Sequence, residues 1–363
     1  SYFQPFSLIS NLWLTWMSSI ILFGGIGLIF VSLFSLSMAK FLGHLIDMMA
    51  HVMINVADSL HVLLPGYFWD RVLVWSFLVS VIFIIMAYFL PRFRVRFCLV
   101  ICLINVLAIG YLGHRKIMVA IDVGQGDATL IINGFQSILI DTGGVKNKQP
   151  IALTSIIPVL NFYGINTLDA LVLTHMDLDH IGGLNPLIHR GVQQIFSPDS
   201  LNLKHHIHVN APMKILGNDL IISIFPPSYI GYDYTSNNAS LYIAITLNKL
   251  KVIITGDMDM KIENELINRN IVDQAHVIKL GHHGSRFSTS TTLLSRTSPV
   301  FAWNSSGRNN RYRHPHHEVI ERLNNHHIPY FSTHQHGAIQ FFIFSNRVWI
   351  SSFISNQRFT FNF

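Results

Sequence analysis

The stretch LVLTHMDLDHIGGL, Leu171–Leu184, decides how the chain is read. His175, Asp177, Asp179 and His180 fall between an apolar run and a Gly-Gly pair. The run LDALVLT is predicted to be a buried strand ending near Thr174, with a helix starting in IGGLNPLI. The four side chains then occupy a strand-to-helix loop, where layered α/β scaffolds carry open-sided sites. Residues 175, 177 and 179 alternate and can face one side, with His180 turned to a neighbouring position. Such a loop can divide its ligands between two adjacent cations. Gly182 and Gly183 are expected to let the backbone turn sharply. Asp179 alone would suffice as a helix cap; two aspartates and two histidines together are metal-ligand chemistry.

Three later clusters repeat the theme. VIITGDMD sets Asp257 after a buried strand and a glycine, well placed to bridge two cations. VIKLGHHGS sets His282 and His283 at another strand end, followed by Gly284 and Ser285. SSGRNNRYRHPHHEV brings Asn310, Arg311, His314 and His316 near a helix start. The only cysteines, Cys98 and Cys102, lie in an apolar segment, so ligands must come from His, Asp, Glu or Asn. Of 20 histidines, 17 follow Gly113, which suits a metal site in that part.

The rest of the chain has a different texture. Only 12% of the 363 residues are charged, against about 25% in a soluble globular chain, which points to membrane segments. No Lys, Arg, Asp or Glu occurs before Lys40. The run LWLTWMSSIILFGGIGLIFVSLFSL is long enough to span a bilayer. With no basic stretch ahead of it, it reads as a membrane segment of a longer protein, not a signal peptide. Val72–Leu90 and Phe97–Gly113 form a second and third span around PRFRVR, whose three arginines place that loop in the cytoplasm and the following domain outside. Between the first span and this hairpin, His44, Asp47, His51, Asn55 and Asp58 recur at helical spacing, the mark of an amphipathic helix. Two domains follow, 1–115 in the membrane and 116–363 outside it. The residues after Gly113 keep 20 basic against 16 acidic side chains, a mild excess that tolerates a polyanionic partner without requiring one. Its strand-like runs IMVAIDV, ATLIING, SILIDTGG, DLIISIF, SLYIAITL, KVIIT and HVIKL alternate with helical DMKIENELINR and HHEVIERLNN. Asn133-Gly134 signals a hairpin. The mixture suggests two sheets with helices outside.

Taken jointly, DVGQGDATLI, LIDTGG, THMDLDHIGG, TGDMD, KLGHHGSRFSTS and NRYRHPHHEVIERL resemble the metallo-β-lactamase superfamily. Within it they are similar to the C-terminal domain of the ComEC-type competence channel, and the apolar first third resembles the end of that family's membrane domain. The resemblance implies a four-layer αβ/βα sandwich with a dinuclear site at one edge. One cation would use His175 and Asp177, the other Asp179, His180 and one of the His282–His283 pair, with His283 favoured. Asp257 would bridge them, and Asp141 would orient the ligand loop. Asp122, Gln125 and Asp127 of the first loop, with Ser285, Asn310 and Arg311, would lie on the substrate side. Asp179, His282, Asn237, Asn238 and His314 are the candidates for catalysis, His282 or His314 protonating the leaving oxygen. Asn237 or Asn238 stands where zinc hydrolases carry a third-motif histidine. With Asp177, that makes the first cation site oxygen-rich, favouring manganese, or magnesium, over zinc.

The implied activity is metal-dependent DNA cleavage at the cytoplasmic membrane, removing the strand that is not transported. The implied partners are DNA, the bilayer, the remaining channel helices, and the receptor and translocation proteins of competence. Hydrolysis of another ester or phosphodiester, or a non-catalytic DNA-docking module, are the alternatives the fold leaves open.

Overall fold

The computed structural model describes residues 2–3, 7–63, 67–68, 71–226 and 237–363. Four helices come first: α1 (Ser7–Ser32), α2 (Leu36–Leu63), α3 (Arg71–Phe89) and α4 (Arg94–His114). Among the described residues, Val72–Phe89 and Pro91–His114 are long and apolar enough to cross a membrane; the described apolar part of α1, Met17–Ser32, is shorter. The expected first span therefore begins on side chains outside those described. So do Asn55 and Asp58 of the polar face expected on α2; the described part of that face includes the exposed His51–Asp47 pair at 3.7 Å. A polar clasp joins α3 to α4. Asn105 Nδ2 donates to Ser80 Oγ at 2.9 Å, and that hydroxyl donates to the Ser76 carbonyl at 2.7 Å. Such bonds hold apolar helices together where burial of apolar surface supplies little.

Helix α4 runs through the extended residue Arg115 straight into strand β1, Lys116–Ala120. Then come β2 (Thr129–Asn133), β3 (Gln136–Ile140), α5 (Ile156–Phe162), β4 (Leu168–Val172), α6 (Leu178–Ile181), α7 (Leu184–Arg190), β5 (Val192–Ser197) and β6 (His206–His208). The second half holds β7 (Met213–Gly217), β8 (Leu220–Phe225), β9 (Tyr242–Leu247), β10 (Leu250–Ile254), α8 (Met260–Asn268), β11 (Val277–Lys279), α9 (Thr291–Thr297) and β12 (Phe301–Asn304). It ends with α10 (His317–Asn325), β13 (Tyr330–Ser332), β14 (Ile339–Ile343), β15 (Arg347–Ser352) and β16 (Arg358–Asn362). One sheet has the order β6-β5-β4-β3-β2-β1-β14-β15-β16, the other β7-β8-β9-β10-β11-β12-β13. Strands β3 to β6 and β10 to β13 run parallel within their sheets, and the remaining pairs are antiparallel.

Alternation along each strand builds the layers. In β1, Met118 and Ala120 enter the core between the sheets, while Ile117 and Val119 face the outer core under α5 and α7. In β10, Val252 and Ile254 point inward and Ile253 outward, beneath α8, α9 and α10. Strands buried on both faces read as continuous apolar runs, which is why KVIIT and LDALV lack polar alternation. Each side chain fully buried in this way contributes about 1.5–3 kcal/mol. The result is helix, sheet, sheet, helix.

Two local readings need correction. The 175–180 cluster is not wholly extended, because Asp179 and His180 lie on the single turn α6. Gly182 and Gly183 do form the turn between α6 and α7, but with φ values of −58° and −93°, which any residue can adopt. Their smallness matters because a Cβ would meet the Gly144 carbonyl carbon at 2.6 Å and the Thr142 oxygen at 2.3 Å. The glycine pair lets the ligand turn pack on the DTGG loop. The hairpin forms with Asn133 paired to Gln136, so its turn is Gly134-Phe135.

Candidate metal centre

All the ligand-bearing loops leave the C-terminal ends of strands β3, β4, β10, β11 and β12, and they converge on Asp257. Its carboxylate lies 3.4 Å from His180 Nε2, 3.5 Å from His283 Nε2, 3.7 Å from His282 Nε2 and 4.0 Å from His175 Nε2. Asp177 Oδ2 is 3.7 Å from His175 Nε2, and Asp179 Oδ2 is 3.2 Å from His283 Nε2. His175, His180, Asp257 and His283 are buried, while Asp177 and Asp179 form the open rim.

Hydrogen bonds determine which imidazole nitrogen faces this centre. Asp141 Oδ2 accepts from His180 Nδ1 at 2.9 Å and from the Thr174 hydroxyl at 2.8 Å. Its other oxygen accepts from the Thr174 amide at 2.7 Å. Because the Thr174 hydroxyl spends its proton on Asp141, it accepts from His175 Nδ1, 3.1 Å away. His283 Nδ1 donates to the Ser305 carbonyl at 3.0 Å. All three rings are thus held with Nδ1 protonated and Nε2 turned toward Asp257, the tautomer a metal-binding histidine needs.

The residues present fit divalent cations. His175 Nε2, His180 Nε2 and Asp257 Oδ1 are buried without a hydrogen-bond partner. Buried polar atoms are seldom left so, and together they form a mixed imidazole and carboxylate donor set. Burial alone would raise the Asp257 carboxyl, yet the imidazoles of His283 and His180 hold it well below its usual range. Burial works against charge on His283, but Asp257 and Asp127 outweigh it and push this imidazole up to about 10. Burial pushes His314 down to about 4, assisted by the neighbouring His283 and His316.

The backbone at His282-His283-Gly284 is left-handed throughout, with φ of 47°, 55° and 84°. Left-handed residues other than glycine are sparse and cluster at functional sites. Gly284 is required twice over, by its φ and because a Cβ would meet Pro315 Cβ at 2.5 Å. That approach, with the His316 amide donating to the Gly284 carbonyl at 2.9 Å, docks the 310–316 loop beside the centre. The His314 ring lies 5.8 Å from that of His282 and 6.3 Å from that of His283. Asn310 braces this loop, its amide bonding the Gly307 and His314 carbonyls and the His314 amide. His316 accepts from the Arg286 amide.

Other expected residues stand farther back. Asp127, read as facing substrate, is 2% exposed and 2.5 Å from Lys279 Nζ. It lies 3.6 Å from His283 Nδ1 and 3.8 Å from His180 Nδ1, behind the rings and away from substrate. One ligand-capable atom from each of Asp127, His180, Asp257 and His283 lies within 4.8 Å of the others. Asp127 meets the occupied Nδ1 side, so it serves as a counter-charge rather than a ligand. Ser285 is also buried, its amide bonded to the His282 carbonyl. Asn238 bonds Asp259, the cap of α8, through both amide atoms. The Asn237 carbonyl accepts from the Ser240 hydroxyl, which in turn accepts from the Asp257 amide. The two asparagines thus brace the Asp257 loop from behind. Asp122 accepts from the Gly124 amide, and Gln125 Oε1 accepts from the Gly307 amide. Gln125, Asp177, Asp179, Asn310 and Arg311 line a cleft of about 580 Å³ at the mouth of the centre.

Two residues escaped the sequence reading. Thr174 transmits the Asp141 contact to His175. Lys279, buried in β11, neutralises Asp127; a lysine inside the apolar run HVIKL was its only visible signal.

With this geometry in view, relatives carry weight. Residues 121–205 match the metallo-β-lactamase superfamily model. The chain is 33% identical to ComE operon protein 3 of Bacillus subtilis, over 63% of this chain and 33% of that protein. It is also 33% identical to recombination protein 2 of Haemophilus influenzae, over 63% and 29%, and to competence protein ComA of Neisseria gonorrhoeae, over 61% and 31%. The chain is a homologue of the ComEC-type competence proteins. This ComEC-type homologue spans about a third of the length of those relatives. Its metallo-β-lactamase fold places the Asp257 cluster at the strand ends.

Proposed function

We propose that this chain is a metal-dependent phosphodiesterase that cleaves DNA beside a membrane channel for DNA uptake. The observation that carries the reading is the convergence of four imidazoles on Asp257 from both halves of the sandwich, within 4.0 Å. One cation would be held by His175 and Asp177 and a second by Asp179, His180 and His283, with Asp257 as a further ligand. Bound cations would supply Lewis-acid polarisation of a phosphate oxygen and a lowered water pKa. Asp177 and Asp179, hard oxygen donors, favour manganese or magnesium over zinc.

The chain's own residues orient the diester. Arg311, which lines the same cleft as Asp179, pairs with a phosphate oxygen and stabilises charge as the bond breaks. His282, 30% exposed at its side chain, is the imidazole that reaches the leaving oxygen. His314 packs behind it and restricts its ring. Lys279 with Asp127 steadies the ligand histidines from the rear.

The apolar helices α3 and α4 support placement on a membrane. Arg92 between those helices, with Arg94 and Arg96 in the first turn of α4, favours a cytoplasmic position for that end, and α4 then delivers the hydrolase to the outer face. The remaining channel helices and the receptor and translocation proteins would be its partners.

The test uses the purified chain in detergent micelles with labelled single-stranded DNA and manganese. Cleavage is expected, with Asp179→Ala slowing it at least about 100-fold. No cleavage by the parent, or equal cleavage by the variant, sinks the reading.

A further inference from the structure

The cleft at the metal centre does not end there. A second cleft of about 510 Å³ adjoins it, and the two share Gln125, Gly144, Val145 and Asn310 in their walls. The floor between them is fixed, since Gln125 accepts from the Gly307 amide and a Cβ on Gly307 would meet the Gln125 nitrogen at 2.8 Å. The far end is lined by Lys146 and Arg308, both exposed. Arg308 is steadied by its Nε donating to the His334 carbonyl at 3.1 Å. Asp122 is the carboxylate at that end, and one of its oxygens is engaged by the Gly124 amide.

Leu178 and Tyr312 line only the near cleft and, with the shared Val145, expose apolar or aromatic surface there, 63%, 46% and 41% accessible. The groove therefore runs from the Asp177–Asp179 rim and Arg311, past an apolar stretch, to the cationic pair Lys146 and Arg308. Charges at intervals with apolar faces between them suit a single polynucleotide strand, whose phosphates seek cations and whose unpaired bases seek apolar platforms. A duplex hides its bases and has no use for that stretch.

We propose that Lys146 and Arg308 form a second phosphate subsite, so that the groove holds a single strand extending beyond the phosphate at the metal centre. This rests on the phosphodiesterase reading and specifies where the DNA strand lies beyond the phosphate at the metal centre. The test is the double variant Lys146→Ala/Arg308→Ala of the full chain in detergent micelles, read in two ways. Anisotropy of a fluorescein-labelled twelve-residue oligothymidylate on metal-stripped protein reads the groove. Hydrolysis of bis-p-nitrophenyl phosphate with manganese reads the metal centre alone.

The double variant should bind the oligomer about 10-fold more weakly, with a salt dependence of log affinity shallower by about 1.4, two single-strand phosphate contacts at about 0.7 each. Hydrolysis of the small diester should stay within about twofold, because neither residue belongs to the metal cluster. Lys146→Arg/Arg308→Lys, which keeps both charges, should restore affinity and slope. Oligomer affinity and salt slope equal to the parent's overturn the subsite. If the parent fails to hydrolyse the small diester while the variant still loses oligomer affinity and slope, the groove stands and the hydrolase reading falls.

Discussion

On the first sheet, His175 and His180 are aimed by one carboxylate, with Asp141 gripping His180 directly and His175 through Thr174. On the second, His282 and His283 are aimed by their own backbone, three successive left-handed residues pinned against Pro315 and Ser305. One half stores its precision in hydrogen bonds, the other in strain and close packing. The difference teaches where each half should break. A hydrogen-bonded loop fails when a polar atom is changed, and a strained loop fails when volume is added.

Asp257 is the shared corner, so its loss should erase the distinction. Asp257→Ala is expected to cut bound manganese from about two ions per chain to one or fewer and to remove hydrolysis. Elemental analysis of the gel-filtered chain measures this. Two ions retained would mean that the halves bind independently.

Next in size is Asp141→Asn. An amide keeps the shape but cannot accept from the Thr174 amide, the Thr174 hydroxyl and His180 Nδ1 together, so both rings lose their fixed tautomer. Changes of this kind behind metal ligands typically weaken binding 10–100-fold, and manganese titration should show that drop. Ser305 and the 282–284 backbone do not touch Asp141, so the His283 ring should keep its position, visible in its own NMR signal. A displaced His283 signal would show that the halves are coupled.

Gly284→Ala tests the strained half. Its φ of 84° and the 2.5 Å approach to Pro315 predict a loss of about 1–3 kcal/mol, read as a lower thermal midpoint. Substrate turnover should suffer more than metal content, because the 310–316 loop is displaced while Asp141 still aims His175 and His180. Equal losses of both would break the contrast.

The same contrast explains what could be read from sequence. Ligand types at strand ends were legible because buried apolar strands followed by His, Asp or His-His are unusual, and the layers were legible because doubly buried strands are continuously apolar. The hydrogen-bonded half was half visible, through Asp141 in LIDTGG. Thr174 was not, since a threonine at a strand end has many ordinary uses. Asp127 was placed on the substrate side because nothing in GQGDA reveals that Lys279, far along the chain, comes to lie against it. Gly182 and Gly183 do make the expected turn, but their role in close packing is hidden, since sequence cannot separate a glycine needed for φ from one needed for close approach.

The smallest effect concerns protons. His283 and His314 lie with ring centroids 6.3 Å apart, yet the first is pushed up to about 10 and the second down to about 4, both from an ordinary 6.5. Carboxylates surround the one and imidazoles the other. For His283 the folded value exceeds the unfolded one, so its protonated form stabilises the metal-free chain fully below about pH 6.5, and that contribution is lost as pH rises toward about 10. His314 runs the other way; its neutral form contributes above about pH 6.5, and that is lost as pH falls toward about 4. A cation at His283 Nε2 must displace its proton. Manganese uptake at pH 8 should therefore release about one proton from this group, and apparent affinity should rise about tenfold per pH unit up to the upper limit. Calorimetry in two buffers of different ionisation enthalpy measures the release. His314→Gln should leave it unchanged, while His283→Gln should lower it by about one proton; the remainder comes from the hydrogen-bonded half, where Asp257 and Asp141, against burial, hold the His180 imidazole well above its ordinary value. A release unchanged in His283→Gln would overturn the assignment.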